Sequence, residues 1–164
     1  MAVPEVELVP FVPQTETVNK DRKYFVNKDR TVFTKVDSDV DRGLNEAKFL
    51  KGARHPHIPK YINSWVKEGE HYLETEYFQG KSLEQCGSSL QGEHKVFIQA
   101  QLLEVLIFLT LHQVKHNDIN VSNILFNGKD IMVIDWETAS NGNPLDDLFG
   151  SHDHQGILNT LRML

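Results

Sequence analysis

Asp118, Asn123 and Asp135 are the residues of this chain whose types and spacing could do chemistry together. The first two stand in the polar stretch His116-Asn117-Asp118-Ile119-Asn120-Val121-Ser122-Asn123, and Asp135 closes the apolar run Ile131-Met132-Val133-Ile134. Strands over 123–126 and 131–134, turned at the two-residue signal Asn127-Gly128, bring Asp135 back beside Asn123. Two carboxylates and an amide oxygen then converge next to a hydrophobic core. Like charges repel there and desolvation is costly, so Asp118 and Asp135 need a cation to balance them. Hard oxygen donors of this kind suit Mg²⁺, which takes few protein ligands and completes its shell with substrate phosphates and water. Any one loop aspartate is more often a cap or a turn residue. The joint placement on loop, strand start and strand end carries the reading.

The elements that must position these residues follow from the pattern of the chain. Residues 1–22, with Pro4, Pro10 and Pro13, suggest an extended arm or an irregular first strand. Two β-rich runs, 23–26 and 31–36, flank the turn Asn27-Lys28-Asp29-Arg30. Val40, Leu44, Ala47 and Leu50 have helical spacing within 39–53, with Asp39 or Asp41 to cap the start and Gly52 near the end. A second hairpin is expected from 61–66 and 72–77 around Gly69. The boundary between a small β-rich lobe (23–79) and a helical lobe (80–164) is placed at Gly80. The strongest helix spans 93–113, apolar on nearly every side in its second half. A short amphipathic helix is expected around 157–164.

Composition narrows the function classes. The 164 residues carry 17 Lys and Arg against 23 Asp and Glu, a net charge of −6, and 40% hydrophobic residues. These values exclude a collagenous or wholly disordered chain, and a pI near 5.7 argues against gripping nucleic acid backbone. The run Leu102 to Leu111 is interrupted by Glu104 and Thr110 and falls short of the roughly 20 residues that span a bilayer. No membrane role is expected. The first residues, Met1-Ala2-Val3-Pro4-Glu5-Val6-Glu7, lack the positive start of a secretory signal. Cys86 stands alone, so a reducing, cytoplasmic setting is the simpler expectation. It suits a buried small hydrophobe. The pairs His55 with His57 and His152 with His154 have no further Cys or His cluster to complete a zinc site. Trp136 reads as a packing residue.

His116-Asn117-Asp118 with Asn123 five residues on resembles the catalytic loop of the protein kinase-like superfamily, and Asp135-Trp136-Glu137 stands where kinases carry Asp-Phe-Gly. The stretch V-I-D-W-E-T-A-S-N-G-N-P-L-D-D-L looks most like the small-molecule branch, the aminoglycoside phosphotransferases and choline kinases. N-E-A-K-F-L-K-G-A-R-H-P-H-I-P looks more like protein kinases. The resemblance implies an α+β, two-lobed fold with a shortened helical lobe. It also implies transfer of the γ-phosphoryl group of ATP, with Mg²⁺, to a hydroxyl of a protein or small-molecule acceptor. Carried over by position, Asp118 is the catalytic base, and Asn123 and Asp135 bind Mg²⁺. Lys35 holds the α- and β-phosphates, fixed by Glu46, and Glu76, Tyr77 and Phe78 form the hinge that meets adenine. His116 and Asp147 support the catalytic loop, Asp146 being the fallback.

Three departures qualify what the resemblance implies. No glycine precedes Gly43, so another loop, Thr15 to Asp21, is expected to cover the phosphates. Asn117 replaces the usual arginine of the loop, which argues against switching by a phosphorylated activation segment. Little sequence follows Glu137 to build the acceptor platform. Leu145, Leu148, Phe149, Ile157, Leu158, Leu161 and Leu164 suffice to cover one face of the central helix, and self-association or a partner protein is expected at the other. The alternative function is therefore a catalytically silent kinase-like module that binds a partner.

Overall fold

Short runs rich in β-branched and aromatic residues build the first sheet. The computed structural model describes residues 8–11 and 21–144, with Asp153, Gly156, Asn159, Thr160 and Arg162. Strands β1 (Leu8–Pro10), β2 (Arg22–Asn27), β3 (Val32–Asp37), β4 (Tyr61–Lys67) and β5 (Glu70–Glu76) form an antiparallel sheet in the order β1-β2-β3-β5-β4. Asn27 fixes the β2–β3 turn, its Oδ1 accepting from the amides of Thr31 at 2.8 Å and Val32 at 2.9 Å. That register sets Tyr24 opposite Lys35 and Arg22 opposite Asp37.

Helix α1 (Val40–Gly52) crosses this sheet. Asp39 caps it, its side chain accepting from the Arg42 amide at 3.1 Å. The buried face is Gly43, Glu46, Ala47 and Leu50, whereas Leu44, expected in the apolar stripe, is 48% exposed. The reason is His71 on β5, which fills the space against Gly43: a Cβ there would lie 2.5 Å from the His71 ring. Only a residue without a side chain admits the imidazole, and the helix is rotated to present it.

After residue 80 the chain forms β6 (Lys81–Ser82), α2 (Leu83–Cys86), a 3₁₀ turn at Gly87–Ser89 and the long α3 (Gly92–His112). Strands β7 (Val114–Lys115), β8 (Ile124–Phe126), β9 (Ile131–Val133) and β10 (Ser140–Asn141) follow. They make two small sheets, β6-β8-β9 and β10-β7. The β8–β9 connection spans 127–130, between the strand ends expected at 126 and 131, because Phe126 pairs with Ile131. Asn127 Oδ1 accepts from the amides of Lys129 and Asp130, an Asx-type closure that a two-residue turn does not allow.

Ile98, Leu102, Val105 and Leu109 of α3 are fully buried in a core shared with Ile124, Ile131, Val133 and Trp136. Val96, Leu103, Ile107 and Leu111 on its other side are exposed among the described residues. The leucines and Ile157 expected to cover this helix lie outside the described residues, as do His152 and His154. The apolar run expected to fall short of a membrane span is part of a longer helix, and α3 alone among the described residues is long and apolar enough to cross a membrane; Ile98, Leu102, Val105 and Leu109 form its buried stripe. Cys86, expected buried, is half-buried at the core's edge because α2 ends there. His57 is a tie between segments, with Nδ1 3.1 Å from Ile131 O and Nε2 3.1 Å from Glu104.

Candidate active site

The site is built where the first sheet, α1 and the β8–β9 hairpin meet. Lys35, on β3, points its ammonium at three carboxylates: Glu46 of α1 at 2.8 Å, Glu137 at 3.0 Å and Asp135 at 3.3 Å. Burial alone would favour the neutral amine. Glu46, Asp135 and Glu137 outweigh it and hold the Lys35 pKa well above the ordinary lysine value. Burial likewise pushes Asp135 up, but Lys35 and then Arg22 overcome it and hold its carboxyl below the usual carboxylate range. Glu46 spends its second oxygen on the Trp136 amide at 2.7 Å, which fixes the chain next to Asp135. Trp136 is fully buried, stacked on Phe49 at 4.5 Å and edge-on to His116 at 4.3 Å. Asp135 itself adopts φ 64°, a left-handed conformation that aspartate tolerates better than most residues.

The polar loop is organised around His116. Its Nδ1 accepts from the Asp118 amide at 3.1 Å, which leaves Nε2 to donate to Ile134 O at 2.9 Å. Asn123 donates to both the backbone oxygen of Asp118, at 2.9 Å, and its Oδ2, at 3.0 Å. Asn120 donates to Oδ1 at 3.0 Å. The carboxylate is thus aimed by two amides while Asp118 remains exposed. Ile134 N donates to Asn123 O at 2.9 Å, so the residue before Asp135 is pinned to Asn123. The structure brings Lys35, Glu46 and Asp135 into one cluster and Asp118 and Asn123 into another, joined by Ile134. The charge facing Asp135 is Lys35.

The donor set fits a hard divalent cation. Asn123 uses its amide nitrogen on Asp118 and keeps its oxygen for a ligand; in the neighbouring cluster, ligand atoms of Glu46, Asp135 and Glu137, all of which also meet Lys35, lie within 4.8 Å of one another. Of the residues expected to form the hinge, Glu76 ends β5 and its amide donates to Lys60 O at 3.0 Å; the Tyr77 amide donates to Thr31 O at 2.9 Å. These bonds fix the strand-to-lobe crossing at 76–80 to the first sheet.

Two features escaped the sequence reading. Asp147 and Asp146 lie outside the described residues, and the acid that holds the loop is Asp153, accepting from the His116 and Asn117 amides at 2.6 Å each. Asp153 is buried and Ile119 passes against Gly156, so this segment lies on the loop. The other is Glu137, which pairs with Arg22 as well as Lys35 and lies 3.8 Å from Arg42. Its only signal was an acid where the kinase pattern has glycine.

A lysine strand paired to a helical glutamate, with a polar loop and an aspartate-bearing hairpin below, defines a two-lobed protein kinase-like fold. The chain belongs to the protein kinase family: residues 15–154 match the protein kinase domain. It is 27% identical over 128 residues to the probable serine/threonine-protein kinase YbdM of Bacillus subtilis, covering 74% of this chain and 49% of that protein. It is 32% identical over 97 residues to the probable serine/threonine-protein kinase mkcE of Dictyostelium discoideum, covering 57% of this chain and 14% of that protein. With the serine/threonine-protein kinase TAO3 of Mus musculus the identity is 30% over 112 residues, 66% of this chain and 12% of the relative. The chain therefore spans about half the length of the first relative and a small part of the other two. Their names are those of protein kinases, and a closer kinship to aminoglycoside phosphotransferases or choline kinases finds no support in them.

Proposed function

We propose that the chain is an ATP- and Mg²⁺-dependent phosphotransferase acting on a hydroxyl of a protein. The observation that carries this reading is the Lys35–Glu46 pair shared with Asp135, set beside a braced loop that exposes Asp118. Mg²⁺ bound with ATP supplies charge neutralisation at the phosphates, with Asn123 and Asp135 to hold it. Lys35 holds the α- and β-phosphates. Glu46 keeps the ammonium in place, and Glu76 to Phe78 meet the adenine edge with backbone groups. Asp118 orients the acceptor hydroxyl and takes its proton as the new P–O bond forms; the bond from the γ-phosphorus to ADP breaks. The two amides on Asp118 hold its carboxylate in the geometry this requires. A protein acceptor is favoured over a small molecule by the names of the relatives.

Calorimetry and a γ-phosphate transfer assay test the proposal together. Mg-ATP should bind and stabilise the chain, by about 2.7 kcal/mol at 100 times Kd, and chelation should remove most of the effect. Asp118→Asn should keep that binding and lower transfer by roughly 10²–10⁴-fold. Binding without transfer by the wild-type chain would favour the silent partner-binding module. Transfer confined to small hydroxyl compounds would remove the protein acceptor.

A further inference from the structure

Glu137 has no part in the proposed reaction, yet it hydrogen-bonds two cations of the cleft at once, with Arg42 a third at 3.8 Å. Its Oε2 lies 3.0 Å from Lys35 Nζ, and its Oε1 takes the Arg22 guanidinium. Lys35 and Arg22 belong to paired strands. Because Tyr24 faces Lys35 and Arg22 faces Asp37 in the β2–β3 register, all four side chains share one face of the sheet. An ammonium and a guanidinium bridged by a single carboxylate are spaced to grip a single phosphate, whose oxygens offer the same kind of charged acceptor.

Arg22 carries a second sign of a missing anion. Its Nε is buried with no hydrogen-bond partner among the described residues. Asp37 stands 4.0 Å away, outside hydrogen-bond reach, and is already committed to Arg42 at 2.7 and 2.8 Å. Buried guanidinium N–H groups are seldom left without an acceptor. Arg22 also opens β2 directly after the stretch where a phosphate cover is expected and where the chain has no glycine.

We propose that Arg22 and Lys35 form a two-cation seat for one phosphate group of the bound nucleotide, which the Glu137 carboxylate occupies until the phosphate displaces it. The proposal rests on the nucleotide reading above. Arg22 then does with a side chain what a glycine-rich loop does with backbone amides, and Glu137 is an internal competitor of the ligand. Displacing it leaves the phosphate bonded to both cations and to the orphaned Nε.

Calorimetric titration with Mg-ATP and with adenosine, on the wild-type chain and the variants Arg22→Met, Arg22→Lys and Glu137→Gln, tests the seat. Arg22→Met should lose about tenfold or more in Mg-ATP affinity while adenosine binding stays within about twofold. Arg22→Lys should recover only part of the loss, since an ammonium keeps the charge but lacks the Nε donor. Glu137→Gln should bind Mg-ATP several-fold more tightly, since the competing charge is gone. Melting curves without ligand check that each variant folds. Should Arg22→Met fail to fold, Arg22→Lys and Glu137→Gln still read the competition. Equal Mg-ATP affinity in Arg22→Met and wild type overturns the seat and leaves the nucleotide reading standing. Weaker Mg-ATP binding by Glu137→Gln overturns the displacement and makes Glu137 a cation ligand beside Asp135. A wild-type chain that binds neither Mg-ATP nor adenosine removes the nucleotide reading, and the seat with it.

Discussion

Lys35 keeps its charge in a buried place because three carboxylates surround it, and one of them is Asp135. This changes what Asp135 does in the absence of ligand. The sequence alone sets Asp135 against Asp118 as a repelling pair, which would make its charge a liability. In the structure its lowered pKa shows that the charged form is favoured by the fold. Asp135→Asn should therefore cost the ligand-free chain about 1–2 kcal/mol, the worth of a charge-assisted bond in a partly exposed pair. Urea denaturation at neutral pH measures this, and an unchanged or raised midpoint would restore the repulsion argument. Asp118, Asn123 and Asp135 were legible in the sequence because all lie within one short stretch. Lys35 and Glu46 were legible only through resemblance. Arg22 and Glu137 were not, since 115 positions separate them and nothing local announces the pairing.

At the scale of elements, periodicity and caps located the α1 helix, both hairpins of the first sheet and the long α3. They did not locate which face of α1 is buried. That depends on His71, a residue of another strand, filling the space over Gly43. Ordinary helix propensity says that Gly43→Ala should stabilise by up to about 1 kcal/mol. The 2.5 Å approach to the imidazole says the reverse. The added methyl must push α1 off β5, and overpacking of this kind typically costs about 1–3 kcal/mol. Chemical denaturation should show a net loss, and Mg-ATP affinity should fall with it because Glu46 rides on the same helix as Gly43. A stabilised variant would mean that the His71 ring moves aside without strain. The β8–β9 loop was legible because its determinants are local: the strand ends at 126 and 131 follow from the pattern, and the Asn127 side chain that closes the loop bonds two amides within it.

Across the whole molecule, one core joins both lobes, with Leu50 and Leu73 in the same cluster as Leu102 and Ile124. Loss of buried charge balance anywhere should therefore appear as global unfolding. Burial holds His71 below its ordinary value. Asp37 is raised by burial but lowered further by bonds from Arg42, so it lies below the usual carboxylate range. Each group binds a proton more readily in the unfolded chain than in the folded one, so each contributes stability that is present above its unfolded pKa. That stability falls as pH drops from about 6.5 for His71 and from about 3.9 for Asp37. Burial pushes Glu74 and Glu137 up, which acts in the opposite sense to Asp37 at acid pH, so the clear expectation is a melting temperature level near neutrality that declines below about pH 6.5. A level curve from about pH 7 to pH 5 would contradict the lowering by burial of His71 and of His55, which is shifted the same way. A different behaviour follows for the segment after Asp135. Asn45 donates to the oxygens of Glu137 and Ala139, at 2.9 and 3.0 Å, and Asn117 donates to Thr138 O at 2.9 Å and Ser140 Oγ at 2.8 Å. Carboxamides carry no charge for an anion to exchange, whereas the Glu137 carboxylate on Lys35 and Arg22 can be traded for another anion. Those ion pairs are largely buried and little screened by salt, so a bound anion, and not ionic strength, separates the parts that answer to it from the frame at 137–140 that must hold still.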